Sequence, residues 1–409
     1  EEHDASLKQQ EGFRYSARDL AILRAHRLGL PVVLGSATPS LETLANARAG
    51  RYVQQRLTRR AGDAMPPQLR LLDMRGQPTQ EGLSAPLLDT IRRHLDNAGQ
   101  VLVFLNRRGY APTLICHECG WLAECERCDA RYTYHRGRAR LHCHHCDRER
   151  PIPRACPDCG SVDLRPLGLG TERIEQALET LLPDTRLVRI DRDSTRRRGH
   201  FETRMAEALR GEARLLLGTQ MLAKCHHLPT VTLVAVVDAD QGLFGADFRS
   251  PERLAQLIVQ VAGRAGRAER PGEVVIQTHQ PEHPLLQTLI HGGYPAFADA
   301  ALAEREAAGL PPARAMVLLR AEAPGREGPQ GFLQAARACL PTPGTIDLLG
   351  PYPAPMERRA GRYRAQLMLL ADERPALQHL LARWLPAVSA LPAARRVRWS
   401  VDVDPVETL

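Results

Sequence analysis

The chain has 409 residues and a formal net charge of +8 at pH 7, with 55 Lys and Arg against 47 Asp and Glu. A chain of this length accommodates about two to four domains, each able to bury its own core. No stretch approaches the roughly 18 consecutive apolar residues that cross a bilayer, and no signal peptide is evident, so a membrane-spanning protein is not expected.

The first 57 residues predict one strand-turn-helix unit. An apolar strand is expected over residues 31–34, followed by a turn over 35–38 and a helix that Pro39 or Ser40 opens. The chain lacks an initiator Met and begins at Glu1, inside what looks like a motif. We therefore expect it to be part of a longer protein, with an incomplete first lobe.

A second lobe is predicted after a connection. Residues 56–80 are rich in Pro, Gly, Arg and Gln without clear periodicity, which is typical of a connection between lobes. A helix capped by Ser84 and the apolar strand 101–105 follow. Beyond them, strands are predicted at 186–190, 215–217, 231–237 and 274–277, with helices over 171–182 and 251–262, the second capped by Ser250. This alternation favours a parallel sheet covered on both faces.

Eight cysteines interrupt this lobe as four Cys-x-x-Cys pairs. The pairs are Cys116/Cys119, Cys125/Cys128, Cys143/Cys146 and Cys156/Cys159. Their spacing is that of zinc ligands, and Zn²⁺ prefers thiolate, so we expect two tetrahedral four-thiolate sites. A disulfide framework is disfavoured because Cys225 and Cys339, outside this segment, are solitary. Spacing alone leaves open which pairs share an ion.

The basic residues are mostly arginine and cluster at residues 196–198 and 358–359. Such clusters favour a polyanionic partner such as nucleic acid, with a solvated surface as the alternative. Eight thiolates holding two Zn²⁺ would lower the net charge to about +4 without changing its sign. From residue 291 onward an Ala-rich helix and mixed elements, ending in a strand at 397–403, predict a separate α+β domain.

Two arginines follow the predicted helix 251–262. Arg264 and Arg267 lie three residues apart, and Gly263 before them allows close backbone approach. Guanidinium groups in this position can contact a transferred phosphoryl group. A basic helix end that complements the helix dipole is the alternative.

Four motifs resemble those of superfamily 2 helicases. They are Glu1-Glu2-His3, Gly35-Ser36-Ala37-Thr38-Pro39, Gly218-Thr219-Gln220 and the double-arginine block 260–267, similar to motifs II, III, V and VI. With residues 8–15, the eight-cysteine insertion and residues 218–224, the chain more closely resembles the PriA family of bacterial replication-restart helicases, along its whole length.

The resemblance implies an α/β fold of RecA-like helicase lobes, the first incomplete and the second complete. It also implies an insertion that holds two zinc ions on four cysteines each, and an α+β C-terminal domain. The implied boundaries are 1–57 for the C-terminal part of lobe 1, 58–83 for the interlobe connection, 84–115 with 160–290 for lobe 2, 116–159 for the zinc insertion and 291–409 for the C-terminal domain.

The resemblance also implies catalytic residues. Glu1 and Glu2 match the glutamates of the family's Asp-Glu-Glu-His motif, in which the first Glu polarises the attacking water. The Asp, which helps hold Mg²⁺, would precede residue 1. Arg264 and Arg267 become phosphate contacts. Four residues would contact the nucleotide or relay its state: Gln260, Gly263, Gly218 and Thr219.

The chain contains no G-x-x-x-x-G-K-[ST] phosphate loop. We therefore expect Mg²⁺ and ATP to bind the full-length protein, and the chain alone to be inactive. Cys225 stands where the family usually has Gly, and it would strain a turn that needs positive φ.

Residues 8–18 resemble the family's aromatic-rich loop, which couples bound DNA to hydrolysis. Phe13 and Tyr15 would stack on unpaired bases, while Lys8 and Arg14 would neutralise phosphates. The basic stretch 357–364 resembles part of the family's C-terminal domain, which contributes to binding DNA and the acidic tail of single-stranded DNA-binding protein. A solvated edge strand is the alternative.

In the family the zinc ligands are nested, with Cys116, Cys119, Cys156 and Cys159 on one ion and Cys125, Cys128, Cys143 and Cys146 on the other. The implied function is an ATP-dependent 3′-to-5′ DNA helicase that recognises stalled replication forks and initiates primosome assembly. Its expected partners are DNA, single-stranded DNA-binding protein and other primosome proteins, in the bacterial cytoplasm at the nucleoid. The alternative is a non-enzymatic, zinc-containing DNA-binding adaptor, which the missing phosphate loop keeps open. A zinc-dependent hydrolase is disfavoured because a site of four thiolates has no open coordination position.

Overall fold

The computed structural model describes most of the chain. The described residues are 1–57, 67–105, 113–127, 131–135, 140–143, 148–166, 171–191, 194, 199–219, 222, 228, 230–245, 247–263, 272–341 and 344–408.

The first 57 residues contain two α-helices, α1 (Ala17–Leu28) and α2 (Leu41–Arg48). Ser16 and Ser40 cap them, each accepting a hydrogen bond from the backbone N–H three residues later. The strand predicted over residues 31–34 is not formed. That segment pairs with no strand among the described residues, and Val33 is 93% exposed. An apolar run becomes a strand only beside a neighbour that takes its backbone hydrogen bonds.

A parallel sheet forms the centre of the next unit. Its strands are β1 (Gln68–Asp73), β4 (Gln100–Leu105), β10 (Leu187–Ile190), β11 (Leu215–Gly218), β12 (Val231–Val237) and β13 (Glu273–Thr278). Within the described residues the order is β1-β13-β12-β4-β11-β10, and every neighbouring pair is parallel. The central strands β4 and β11 are buried along their whole length, which explains their continuous apolar sequences.

Helices cover both faces of this sheet. They are α3 (Ala85–Asp96), α4 (Thr171–Leu181), α5 (His200–Leu209), the short α6 (Asp240–Leu243), α7 (Ser250–Ala262) and α8 (Pro284–Ala307). Because side chains alternate along a strand, Val101 and Val103 pack with α3 and α4, whereas Leu102 and Phe104 pack with α5, α7 and α8. The predicted α/β fold with both faces covered is therefore confirmed.

Two details of this unit differ from the prediction. Residues 56–80, expected to be a connection, contain β1, which pairs in register with β13 and makes the sheet start at Gln68. Residues 68–73 alternate only weakly between exposed and partly buried positions, as is usual for an edge strand. Their sequence therefore resembles that of a connecting loop. Ser250 is the first residue of α7 rather than its cap, and Arg249 occupies the cap position without a capping side chain.

The cysteine-rich insertion folds around short antiparallel strands. Its first pair is β5 (Leu114–Cys116) with β9 (Leu164–Pro166). Earlier in the chain, β2 (Thr79–Gln80) and β3 (Leu83–Ser84) form a separate hairpin. A second set contains β6 (Thr133–His135), β7 (Arg140–His142) and β8 (Glu149–Pro151). The core here is small, with Tyr132 and Leu141 at its centre. A core this small needs additional stabilisation, which a bound metal ion would supply.

The last unit is an α+β domain, as predicted. Its strands β14 (Ala315–Ala323), β15 (Asp347–Arg359), β16 (Arg362–Ala371) and β17 (Arg398–Val403) form an antiparallel sheet in the order β15-β16-β14-β17. The helices α9 (Glu327–Ala338) and α10 (Arg374–Ala390) pack on one face around the buried Trp384.

The boundary expected at residue 291 falls inside α8. This helix is kinked at Gly293, where φ is 69°, but continues to Ala307. Tyr294, Phe297 and Leu302 belong to the core of the parallel sheet, so the α+β domain begins after the helix. In the described part of the chain, none of the helices has both the length and the apolar character needed to cross a bilayer.

Candidate functional site

A chain of hydrogen bonds joins the start of the sequence to the end of α7. The Gln260 amide lies 2.8 Å from Nε2 of His3, and Nδ1 of His3 lies 2.9 Å from the Ser36 hydroxyl. Ser36 in turn donates to the Glu1 carboxylate at 2.8 Å. Three motifs from distant parts of the sequence therefore meet at one place. His3 and Ser36 were not among the predicted site residues, although both lie within the motifs.

The geometry fits a neutral His3. Burial lowers the pKa of His3, although the carboxylates of Glu1 and Glu2 act in the opposite direction. In the tautomer assigned from this network, Nδ1–H donates to Ser36 and Nε2 accepts from Gln260. Ser36 also accepts from the Thr38 backbone N–H at 3.0 Å, so its hydrogen is directed at Glu1. In this chain the Glu1 side chain is 48% exposed.

Glu2 occupies a different environment from Glu1. Its buried carboxylate accepts from the Ser40 backbone N–H at 2.6 Å, from the Thr43 hydroxyl at 3.0 Å and from Arg18 at 2.8 Å. These partners place Glu2 at the N-terminus of α2, where the helix dipole favours an anion. Glu2 therefore positions the motif, and its carboxylate is fully engaged by protein partners rather than free to activate water.

The other predicted nucleotide-site residues divide into two sets. Gln260 lies in the last turn of α7, beside His3, and Gly263 follows the end of that helix. Gly218 ends β11, with Thr219 after it. A side chain at Gly218 would meet Leu222 and the Ile190 carbonyl at 2.2 and 2.9 Å, so close packing explains this glycine. Arg264, Arg267 and Cys225 lie outside the described residues.

The predicted DNA-binding loop presents an aromatic pair. Phe13 is 86% and Tyr15 42% exposed, and their ring centroids are 6.4 Å apart. A backbone hydrogen bond from Gln9 to Tyr15 and a bridge between Lys8 and Ser16 close the base of the loop. Two exposed rings on a closed loop can stack on unpaired bases.

The two cations of this loop have another partner. Lys8 is buried, and its ammonium lies 3.1 Å from the buried carboxylate of Asp402. Arg14 lies 3.4 Å from the same carboxylate. Lys8, predicted to neutralise DNA phosphates, is therefore directed into the protein instead. No local sequence signal marks Asp402 as its partner.

Four of the eight predicted zinc ligands form a cluster. The Sγ atoms of Cys116, Cys119, Cys156 and Cys159 all lie within 4.8 Å of one another. Cys116–Cys159 and Cys119–Cys156 are each 3.6 Å apart. Sulfurs bound at about 2.3 Å around a tetrahedral Zn²⁺ are roughly 3.8 Å apart, so this set fits the ion. It is also the outer set of the nested arrangement.

The inner set is described in part. Cys125 and Cys143 are both buried in the small core of the insertion. Cys128 and Cys146 lie outside the described residues. The two described thiols of the inner set thus share one small core.

The insertion is joined to the parallel sheet by two histidines. His117, between the first two thiols, lies 2.9 Å from His279, whose Nδ1 lies 2.7 Å from the buried Asp240. The other nitrogen of His117 is 2.8 Å from the Gln77 carbonyl. Gly120 has φ of 80°, and a side chain there would lie 2.7 Å from the His279 carbonyl. The cysteine-rich insertion is therefore packed against the carboxyl ends of β12 and β13.

Two family models match this chain. The model described as the Primosomal protein N C-terminal domain matches residues 306–406, and the PriA DNA helicase Cys-rich region (CRR) domain matches residues 125–151. The first coincides with the α+β domain and the second with the inner cysteine pairs. Together with the four-thiol cluster, the second match makes the insertion a zinc-binding module.

Relatives extend the similarity to the rest of the chain. It is 48% identical over 407 residues to Replication restart protein PriA of Haemophilus influenzae, and 38% identical over 415 residues to that of Bacillus subtilis. Each match covers 99% of this chain, but 56% and 51% of those two proteins, so the chain spans about half their length. The solved structure of S. cerevisiae Dbp5 bound to RNA and ADP BeF3 is similar at a TM-score of 0.35 and 15% identity, covering 70% of this chain and 54% of that chain.

Proposed function

Since this chain belongs to the PriA family of replication restart proteins, we propose that it is the part of an ATP-dependent 3′-to-5′ DNA helicase that completes the hydrolysis site and contacts DNA. The full-length protein would recognise stalled replication forks and initiate primosome assembly. Its partners would be single-stranded DNA-binding protein and other primosome proteins.

The hydrogen-bond chain from Glu1 through Ser36 and His3 to Gln260 carries this proposal. A helicase must connect the residue that activates water with the lobe that moves against it. Here the Glu1 carboxylate and the end of α7 are connected by three hydrogen bonds of 2.8 to 2.9 Å.

Each residue has a role in that reaction. Glu1 accepts a proton from the attacking water, and Ser36 and neutral His3 orient its carboxylate. Arg264 and Arg267, which follow α7, would contact the transferred phosphate and stabilise its developing charge. Gly218 and Thr219 would relay the state of the nucleotide. Mg²⁺, when bound with ATP, would neutralise phosphate charge, and its main protein contacts would precede Glu1.

The remaining modules serve DNA and assembly. Phe13 and Tyr15 would stack on the unpaired strand. The insertion would hold two Zn²⁺ ions in the nested arrangement, because the outer four thiols fit one ion and the two described inner thiols are buried together. A zinc ion held by four thiolates stabilises the fold around it and has no open coordination position for catalysis.

The test is ATP hydrolysis by the full-length protein with and without single-stranded DNA. We expect Arg267→Ala to lower the DNA-stimulated rate at least about 100-fold, while Arg173→Ala, at an exposed position of α4, leaves it unchanged. An Arg267→Ala protein that hydrolyses ATP at the normal rate would remove the assigned role. A wild-type protein that binds DNA without any hydrolysis would instead support the adaptor function.

A further inference from the structure

The segment 403–408 is held by cations from three parts of the protein. The backbone carbonyls of its residues accept hydrogen bonds from Lys8 of the aromatic loop, from Arg249 and Arg253 at the start of α7, and from Arg320 of the α+β domain. The Thr408 backbone N–H donates to Asp247 at 3.2 Å. This short segment begins at the last residue of β17 in the α+β domain. It is thus bonded to the aromatic loop and to the start of α7 as well as to its own domain.

Asp402, the residue before this segment, is the common anion. Its carboxylate is 1% exposed and lies 2.6 Å from Arg320, 3.1 Å from Lys8 and 3.4 Å from Arg14. One buried carboxylate therefore holds both cations of the aromatic loop against the α+β domain. Buried charges of this kind stay in place only while their partners do, because the unpaired charge is costly in a low dielectric.

The far end of the segment leads to the hydrolysis site. Arg249 donates to the Pro405 carbonyl at 3.2 Å and also to Glu42 of α2. Arg253 donates to the Val406 carbonyl, and its guanidinium also lies 3.1 Å from the Asp247 carboxylate. Both arginines lie at the N-terminal end of α7, and the last turn of the same helix carries Gln260, whose amide lies beside His3. A displacement of the segment therefore moves the helix that completes the network around Glu1.

We propose that Asp402 is a positioning residue through which single-stranded DNA on the aromatic loop accelerates hydrolysis at Glu1. The inference rests on the proposed function and adds a route to it. DNA that stacks on Phe13 and Tyr15 shifts the base of the loop, where Lys8 is bonded to Asp402 and to the Val403 carbonyl. Segment 403–408 then carries the shift to Arg249, Arg253 and α7.

The first test compares Asp402→Asn with Asp347→Asn in the full-length protein. Asp347 lies in the same domain and pairs with Arg314 at 2.6 Å, away from the loop, which makes it a matched control. With oligo-dT as the probe, we expect Asp402→Asn to keep DNA-free hydrolysis within about twofold and to lose at least about fivefold of the stimulation. Asp347→Asn should keep both. Full stimulation in Asp402→Asn would overturn the proposal, as would equal losses with and without DNA.

A second measurement covers the case in which Asp402→Asn does not fold. Hydrogen exchange of the wild-type protein with saturating oligo-dT should slow in residues 9–15, in 403–408 and at the N-terminal end of α7. Slowing confined to residues 9–15 would overturn the proposal. The two proposals fail in different ways. A wild type without DNA-stimulated hydrolysis refutes the proposed function, whereas a stimulated wild type with an equally stimulated Asp402→Asn refutes this route alone.

Discussion

The side-chain amide of Gln260 donates to Nε2 of His3 over 2.8 Å, across 257 residues of sequence. This bond joins the last turn of α7 to the network that holds the Glu1 carboxylate. It also fixes which nitrogen of His3 carries the hydrogen, because an amide N–H needs an acceptor. The orientation of Glu1 thus depends on a residue of the other lobe.

Removing the Gln260 amide should therefore slow hydrolysis more than it weakens nucleotide binding. We expect Gln260→Ala in the full-length protein to lower kcat for ATP about tenfold or more, with KM changed less than about threefold. Gln330→Ala is the control, since it also removes one hydrogen bond donated by a side-chain amide, in this case to the Pro351 carbonyl at 3.1 Å. Steady-state kinetics decide between them, and an unchanged kcat in Gln260→Ala would contradict the assignment.

The exposed ring of Phe13 should contribute to DNA affinity without contributing to stability. We expect Phe13→Ala to weaken binding of oligo-dT about 5- to 150-fold, because one base–aromatic stack contributes about 1–3 kcal/mol. The thermal midpoint should not move, since the ring is 86% exposed. Val53→Ala, at a side chain 91% exposed, should alter neither property. Fluorescence anisotropy checks the affinity, and equal affinity of both variants would argue against stacking.

Metal content should follow the nested arrangement of thiols. We expect the wild-type chain to carry about two Zn²⁺ ions and Cys119→Ser to carry about one, because a four-thiolate site that loses a ligand binds much more weakly. Cys339→Ser, which changes a cysteine of the α+β domain, should keep both ions. Elemental analysis after gel filtration provides the count. An undiminished zinc content in Cys119→Ser would show that this cluster is not a site.

The docking of the zinc module should depend on the absence of a side chain at Gly120. Gly120 and Gly160 both have positive φ, 80° and 76°, but a side chain at Gly160 would meet nothing within 4 Å. Both Ala variants should lose about 1 kcal/mol for the left-handed conformation. Gly120→Ala should lose about 1–3 kcal/mol more, because its Cβ would lie 2.7 Å from the His279 carbonyl. Urea midpoints of the two variants test this difference, and equal values would contradict it.

The ion cluster between α2 and α7 should make stability depend on acid pH. Burial raises the pKa of Glu42, but Arg249 and Arg305 outweigh it and lower this pKa to about 2 from 4.5. The unfolded carboxyl therefore takes up its proton first, so the stabilisation is present above pH 4.5 and is lost as the pH falls toward 2. Glu42→Gln should remove about 3 kcal/mol of stability at pH 7 and flatten this loss.

Urea midpoints at pH 7, 5 and 3 measure that dependence. Glu212→Gln is the control, because Glu212 pairs with Arg210 on the exposed surface, where solvent screens the interaction. It should leave the midpoints and their pH dependence unchanged. A Glu42→Gln protein with the wild-type pH profile would show that the cluster does not contribute as described.

Much of the fold could be predicted because its signals are local. The apolar strands 101–105 and 231–237 form within a residue of their predicted bounds, since a strand buried on both faces must be apolar throughout. Ser84 and Ser40 cap helices as predicted, because capping depends on a few adjacent residues. The thiol spacing likewise predicted ligands among the eight cysteines, and the structure brings together four of them, the set that the family resemblance implied for one ion.

The secondary-structure prediction failed where the local pattern was weak, and where a strand needed a neighbour that the local pattern does not reveal. β1 is only partly buried, so its residues resembled a connection, and residues 31–34 looked like a strand but have no described neighbour. The change to an Ala-rich pattern at residue 291 predicts a new domain there, whereas α8 continues through this position and packs on the parallel sheet.

The sequence by itself therefore determined the class of fold, the zinc module and the motifs that make up the candidate site. Only the tertiary structure decided that Glu2 is a buried carboxylate held at the start of α2, and that Lys8 turns inward to Asp402. Lys8 also bonds the carbonyl of Val403, 395 residues away. Contacts at such a separation depend on how whole domains pack, and neither helical nor strand periodicity records them.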